Sequence, residues 1–245
     1  MKNYWKADFY RIGRRIPRII ILVIIFIVCG VLFYKAADGS TPYELVETAT
    51  QFMSIICTVF AIIEFGSVYV EDMKAKTMLV AVGSGLTRSK CILVKWIETI
   101  VLTALDTAVF LVVGLVVSMV KGVIFSGEPL RDLILLGIFA VVNVAGALGF
   151  TLIFLYLSLS PVIGVIVFII TCTGILNTLI EALLSIGFIN NLHLQQYLFD
   201  NLLETAKARA ILGIFSVPHI LGMAAYLAAL YAITYLIFRK KELQF

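Results

Sequence analysis

Charged side chains cut this chain into a few long apolar runs. The first uncharged run, Ile19 to Tyr34, sits between Arg18 and Lys35. A second lies between Glu47 and Glu64 and continues towards Val70. A third runs from Ile97 to Val120 and contains Asp106. Leu133 to Ile180 is 48 residues without one charge, and Ala210 to Phe238 is the last uncharged run. About 20 helical residues cross about 30 Å of hydrocarbon, so the 48-residue run holds two spans. Proline opens a helix more readily than it continues one, which puts the break at Ser158-Leu159-Ser160-Pro161. The pattern predicts an all-α integral membrane protein, a single unit over 1–245. Its six spans are 19–36, 48–70, 97–120, 133–158, 161–186 and 211–238.

Composition agrees with this reading. Hydrophobic residues make up 62% and charged residues 14%, and the mean hydropathy is +1.07. A water-facing surface cannot be built from so few polar residues. Cys29, Cys57, Cys91 and Cys172 are far apart and form no metal-ligand spacing, so no metal site is expected.

Charge gives orientation. Lys2, Lys6, Arg11, Arg14, Arg15, Arg18, Lys74, Lys76, Arg88, Lys90, Lys95, Arg239, Lys240 and Lys241 fall on one side of a six-span layout. Lys35, Lys121, Arg131, Lys207 and Arg209 fall on the other. The excess of basic residues marks the cytoplasmic side, so both termini are expected there. The net charge of +4 therefore labels topology and needs no nucleic-acid partner.

Three segments outside the spans carry patterns of their own. Residues 1–18 place Trp5, Phe9, Ile12 and Ile16 at helical spacing among basic residues, which predicts an interfacial elbow helix. Residues 71–96 form a cytoplasmic loop with acids first, an apolar stretch, Gly83-Ser84-Gly85, and a basic end. A helix beginning near Asp72 would have Glu71 and Asp72 at its positive end and stop at Gly83 or Gly85. Met78, Leu79 and Val82 on one face would suit a groove on a partner. Residues 187–210 are too polar to span. Leu192, Leu198, Phe199, Leu202 and Leu203 give them an apolar stripe, which predicts a short extracellular helix.

The run Asp72-Met73-Lys74-Ala75-Lys76-Thr77, followed by an apolar stretch, Gly85, Arg88, Lys90 and Lys95, resembles the coupling segment of type-2 ATP-binding cassette (ABC) exporter permeases. Lys76 stands where that family commonly has Gly. The six-span layout and the basic segment Phe238-Arg239-Lys240-Lys241 extend the resemblance over most of the chain.

The resemblance implies a permease that pairs with a second permease, identical or related. It implies docking on two cytoplasmic ATPase subunits through Glu71, Asp72, Lys74, Lys76, Thr77, Met78, Leu79, Val82, Arg88 and Lys90. It also implies export of an amphipathic peptide, an antimicrobial or another lipophilic compound across a bacterial cell membrane. No G-x-x-x-x-G-K-[ST] run is present, so ATP and Mg are expected on the partner ATPase. This chain is expected to bind no cofactor and to carry no catalytic residues.

Polar residues within apolar runs are the remaining candidates. An acid at membrane depth costs roughly 2.5–3.5 kcal/mol on insertion scales and usually faces a bundle interior or water. Asp106, Asn143, Asn177 and Glu181 are therefore candidates for a translocation path. A second reading is an ion-coupled carrier using Asp106. His219 beside Pro218 lies in a span while Ser84 lies in the cytoplasmic loop, so the two make no nucleophile–base pair, and His219 reads as a core histidine.

Overall fold

The computed structural model describes residues 2–75, 77–83, 85–186 and 193–240, without the side chains of residues 2–4, 79 and 81. Among them every regular element is helical. In chain order these are α1 (Lys2–Gly13), α2 (Ile16–Ala36), α3 (Pro42–Lys74), α4 (Thr77–Gly83), α5 (Arg88–Val120), α6 (Glu128–Ser158), α7 (Pro161–Cys172), α8 (Ile175–Leu184), α9 (Phe199–Ile211) and α10 (Val217–Lys240). Five of them, α2, α3, α5, α6 and α10, are long and apolar enough to cross a membrane. The pair α7 and α8, bent by 66° at Thr173-Gly174, supplies a sixth if it counts as one span.

Local chemistry explains the helix ends. Thr41 and Glu44 form a reciprocal capping box that starts α3 before the apolar run begins. Leu159 adopts a left-handed conformation (φ 54°) where α6 ends, and Pro161 opens α7. Gly174 has φ +75° at the α7–α8 bend, a conformation that a Cβ would strain.

The core is split by depth. Phe65, Tyr69, Leu148, Leu155, Tyr156, Phe168 and Phe238 pack α3, α6, α7 and α10 together near one end. Leu45, Met53, Phe60, Phe110, Leu133 and Leu136 join α3, α5 and α6 towards the other. Facing outward, α2 buries little and presents Ile20, Ile24, Ile27 and Val31. The interior is apolar as in a soluble protein, but the outer surface is rich in exposed aliphatic side chains as well, and a minority of polar side chains is turned inward.

Contacts between helix ends fix the two ends of the bundle. Arg11 of α1 pairs with Asp72 of α3, and Arg88 of α5 donates to the Phe238 and Arg239 carbonyls of α10 at 2.9 and 3.0 Å. Tyr156 of α6 donates to the Met78 sulfur of α4 at 3.7 Å. At the opposite end Lys121 pairs with Asp38 at 3.1 Å, and Arg131 donates to the Ile211 carbonyl at 2.8 Å.

Several boundaries differ from the sequence reading. The second and third spans extend to Lys74 and back to Arg88, because a charge does not by itself end a helix. Ile16 belongs to α2 and is 68% exposed, so the inward face of α1 rests on Phe9 and fully buried Ile12. The helix expected to begin near Asp72 is two pieces, since Asp72 lies in the last turn of α3, which ends at Lys74, and α4 starts at Thr77.

Candidate functional site

Two groupings of polar side chains stand out, one at each end of the bundle. The first gathers where α1, the start of α2, the end of α3 and the start of α5 converge. Lys95 of α5 is fully buried and pairs with Asp8 of α1, Asp72 of α3 and, at 3.5 Å, Glu98 one turn along. Arg11 bridges Asp8 and Asp72. Arg15 pairs with Glu71 and donates to the Ser67 carbonyl at 3.3 Å. Ser67 lies in the π-helical segment Gly66–Val70 of α3. Arg18 holds Glu64 at 2.7 Å and reaches Asp106 at 3.6 Å.

The physical logic is mutual. Burial pushes the Asp8 carboxyl up, but Lys95 and Arg11 outweigh burial and leave it below its ordinary value. The same acids raise Arg11 against its own desolvation. Glu98 is fully buried, and neither of its carboxylate oxygens receives a hydrogen bond among the described residues. The assembly ties the amphipathic first helix to two long helices through charge rather than through apolar contact alone. Breaking one partner out of such a buried set typically costs about 3–5 kcal/mol.

This arrangement redistributes the expected coupling residues. Asp72 is buried in the ion network, and Glu71 is engaged from its rim. Arg88 closes the end of α10 and lies 5.6 Å from the Phe238 ring centroid. Thr77 donates to the Asp72 carbonyl at 3.4 Å. Met78 is buried against Tyr156, and Val82 is half-buried. Lys74 and Lys90 remain exposed. Lys76 lies outside the described residues, as does the Leu79 side chain. Among the described side chains of α4 the exposed apolar one is Val80, 70% exposed, which the sequence reading did not single out.

The expected path residues separate. Asp106 belongs to the ion network beside Arg18. Asn143 and Asn177 line a cavity of about 470 Å³, including its mouth, among α6, α7, α8, α9 and α10. Asn177 donates to Glu181 at 3.2 Å, and Glu181 also accepts from Asn201 at 2.7 Å. Asp200, on the first turn of α9, lines the same cavity. The His219 ring bonds the Ser216 hydroxyl at 2.5 Å at the start of α10. All four cysteines are buried and free.

Neither a protein-family model nor a curated protein matches the chain.

Proposed function

We propose that this chain is the permease subunit of an ABC exporter, a multi-pass protein of the bacterial cell membrane with both termini in the cytoplasm. It works beside a second permease, and two separate ATPase subunits hydrolyse ATP with Mg. Its cargo is an amphipathic peptide, an antimicrobial or another lipophilic compound.

The observation that carries the reading is α4. A seven-residue helix sits between two long helices, at the end of the bundle where α1 and the end of α10 also lie. Val80 is exposed on it, and exposed Lys74 and Lys90 precede and follow it in the chain. An exposed apolar side chain with cations on the flanking segments suits insertion into a groove with an acidic rim. Its inner side rests on Tyr156 of α6, so a push on α4 reaches the bundle directly. The ion network locks the same helix ends to α1, which makes the elbow part of the moving body.

The test is coupled ATPase activity. The chain is co-expressed with a P-loop ATPase and reconstituted in nanodiscs. Val80→Glu places a charge where the docking face must dry, and is expected to cut permease-stimulated hydrolysis by about tenfold or more, as loss of a central interface contact does. Permease yield and monodispersity should not change. If Val80→Glu hydrolyses ATP like the parent, α4 is not the docking helix. If transport follows an imposed ion gradient and ignores ATP, the ion-coupled reading replaces this one.

A further inference from the structure

The cavity towards the α9 end has a chemical character that the exporter reading does not itself require. Its wall holds one carboxylate, Asp200, two side-chain amides, Asn143 and Asn177, and three aromatic rings, Phe150, Phe199 and Tyr226. Among the described residues no Lys or Arg lines it. Lys207, the nearest base along α9, is engaged with Glu204 at 2.6 Å.

Asp200 itself makes no hydrogen bond or ion pair among the described residues, although it is half-buried. Its place in the first turn of α9 accounts for an acid there, because the helix N-terminus favours negative charge. That placement does not account for burying the acid next to Glu181 and Glu204, both of which act on it unfavourably. Burial and these two acids hold the Asp200 carboxyl above its ordinary value, as expected for a site short of positive charge.

The packing around the cavity is built. At Gly146 a Cβ would lie 2.2 Å from Phe199, so the missing side chain is what admits that ring into the wall. Glu181 is held from two sides by Asn177 and Asn201, which leaves Asp200 as the carboxylate in the wall without a donor.

We infer that this cavity binds the ammonium group of an amphipathic amine, with the positive charge on Asp200 and the apolar part against Phe150, Phe199 and Tyr226. The amide oxygens of Asn143 and Asn177 supply further acceptors, and aromatic rings attract a cation that has shed its water. The carboxylate repels an anion of the same shape. The inference narrows the cargo of the proposed exporter to cationic amphiphiles and rests on that reading for the step from binding to transport.

The experiment separates the two. The purified chain, without ATPase, is placed in phosphatidylcholine nanodiscs and titrated calorimetrically with benzylammonium, and in parallel with benzenesulfonate. The expected result is saturable ammonium binding and no sulfonate binding. Asp200→Asn keeps the side-chain shape and should weaken ammonium binding by about tenfold, the worth of one charge-assisted contact. Tyr226→Leu should weaken it by about fivefold, within the range of a desolvated cation–π contact. Absence of saturable ammonium binding, equal binding in Asp200→Asn, or equal binding of the sulfonate overturns the site. Binding that depends on Asp200 together with ATPase activity indifferent to Val80 keeps the site and removes the exporter. The reverse pair keeps the exporter and removes the site.

Discussion

Lys95 is a cation inside a bundle, surrounded by Asp8, Asp72 and Glu98 from three helices. Counting it towards topology made sense from the sequence, since basic residues near span ends usually mark the cytoplasmic face. A second signal was present in the same stretch. Lys95, Thr99, Thr103 and Asp106 recur at helical spacing through a mainly apolar run, and all four are buried. Polar residues sharing one face of a spanning helix point inward, so this stripe was legible. Its partners were not, because Asp8 and Asp72 are far away in sequence and only folding brings them near. Lys95→Met keeps the stem and removes the charge, leaving Asp8 and Asp72 to share Arg11, and Glu98 with no cation among the described residues. It should destabilise the protein by about 3–5 kcal/mol, and Lys95→Met combined with Asp72→Leu should recover part of that loss. The four buried thiols make the measurement direct, since a thiol-reactive dye reports unfolding on heating. A Lys95→Met protein that melts like the parent would show that the network contributes no stability.

At the level of elements, helix ends decided by local chemistry were the legible ones. Proline after a left-handed residue separates α6 from α7, and dipeptide-scale chemistry of that kind is visible in a string of letters. The extra turns of α3 and α5 were hidden because a charge count cannot tell a charge in water from one paired inside. The cavity wall was hidden for another reason. Asn143 and Asn177 were visible as polar residues in apolar runs, but Asp200 was one polar residue among many in the segment 187–210, expected as a short extracellular helix. Gly146 sat in a small-residue run that suggested only close packing. The structure gives Gly146 a specific task, admitting Phe199. Gly146→Ala must displace that ring and should cost about 1–3 kcal/mol, the usual penalty for overpacking. Gly66→Ala is the control, since nothing lies within 4 Å of a Cβ there and the backbone is already helical. The same dye melt should fall for Gly146→Ala and hold for Gly66→Ala. Equal melting temperatures would mean that Phe199 yields without strain.

For the whole molecule the question is how many times the chain crosses. The α7–α8 pair is the weakest crossing, because 12 and 10 residues at about 1.5 Å each are bent by 66°. If α7 stands upright the pair rises only roughly 24 Å, short of the roughly 30 Å of hydrocarbon. Yet α6 ends beside α4, and α10 starts from the end where Arg131 meets Ile211, so residues 161–211 must carry the chain from one end to the other. The half-buried Glu181 and the polar α9 then lie within or near the missing depth, which fits a crossing finished by a polar, partly wet segment. Single cysteines introduced at Asp38, Lys90 and Lys240 decide this, because the four natural thiols are buried and give little background. In intact cells a membrane-impermeant thiol reagent should label Asp38→Cys and should label Lys90→Cys and Lys240→Cys only after lysis. Labelling of Lys90→Cys and protection of Asp38→Cys would invert the molecule and take α4 away from any cytoplasmic ATPase. Labelling of Lys240→Cys alongside Asp38→Cys would mean that α7 and α8 re-enter on one side, which the bonds from Arg88 to the end of α10 forbid in a folded chain.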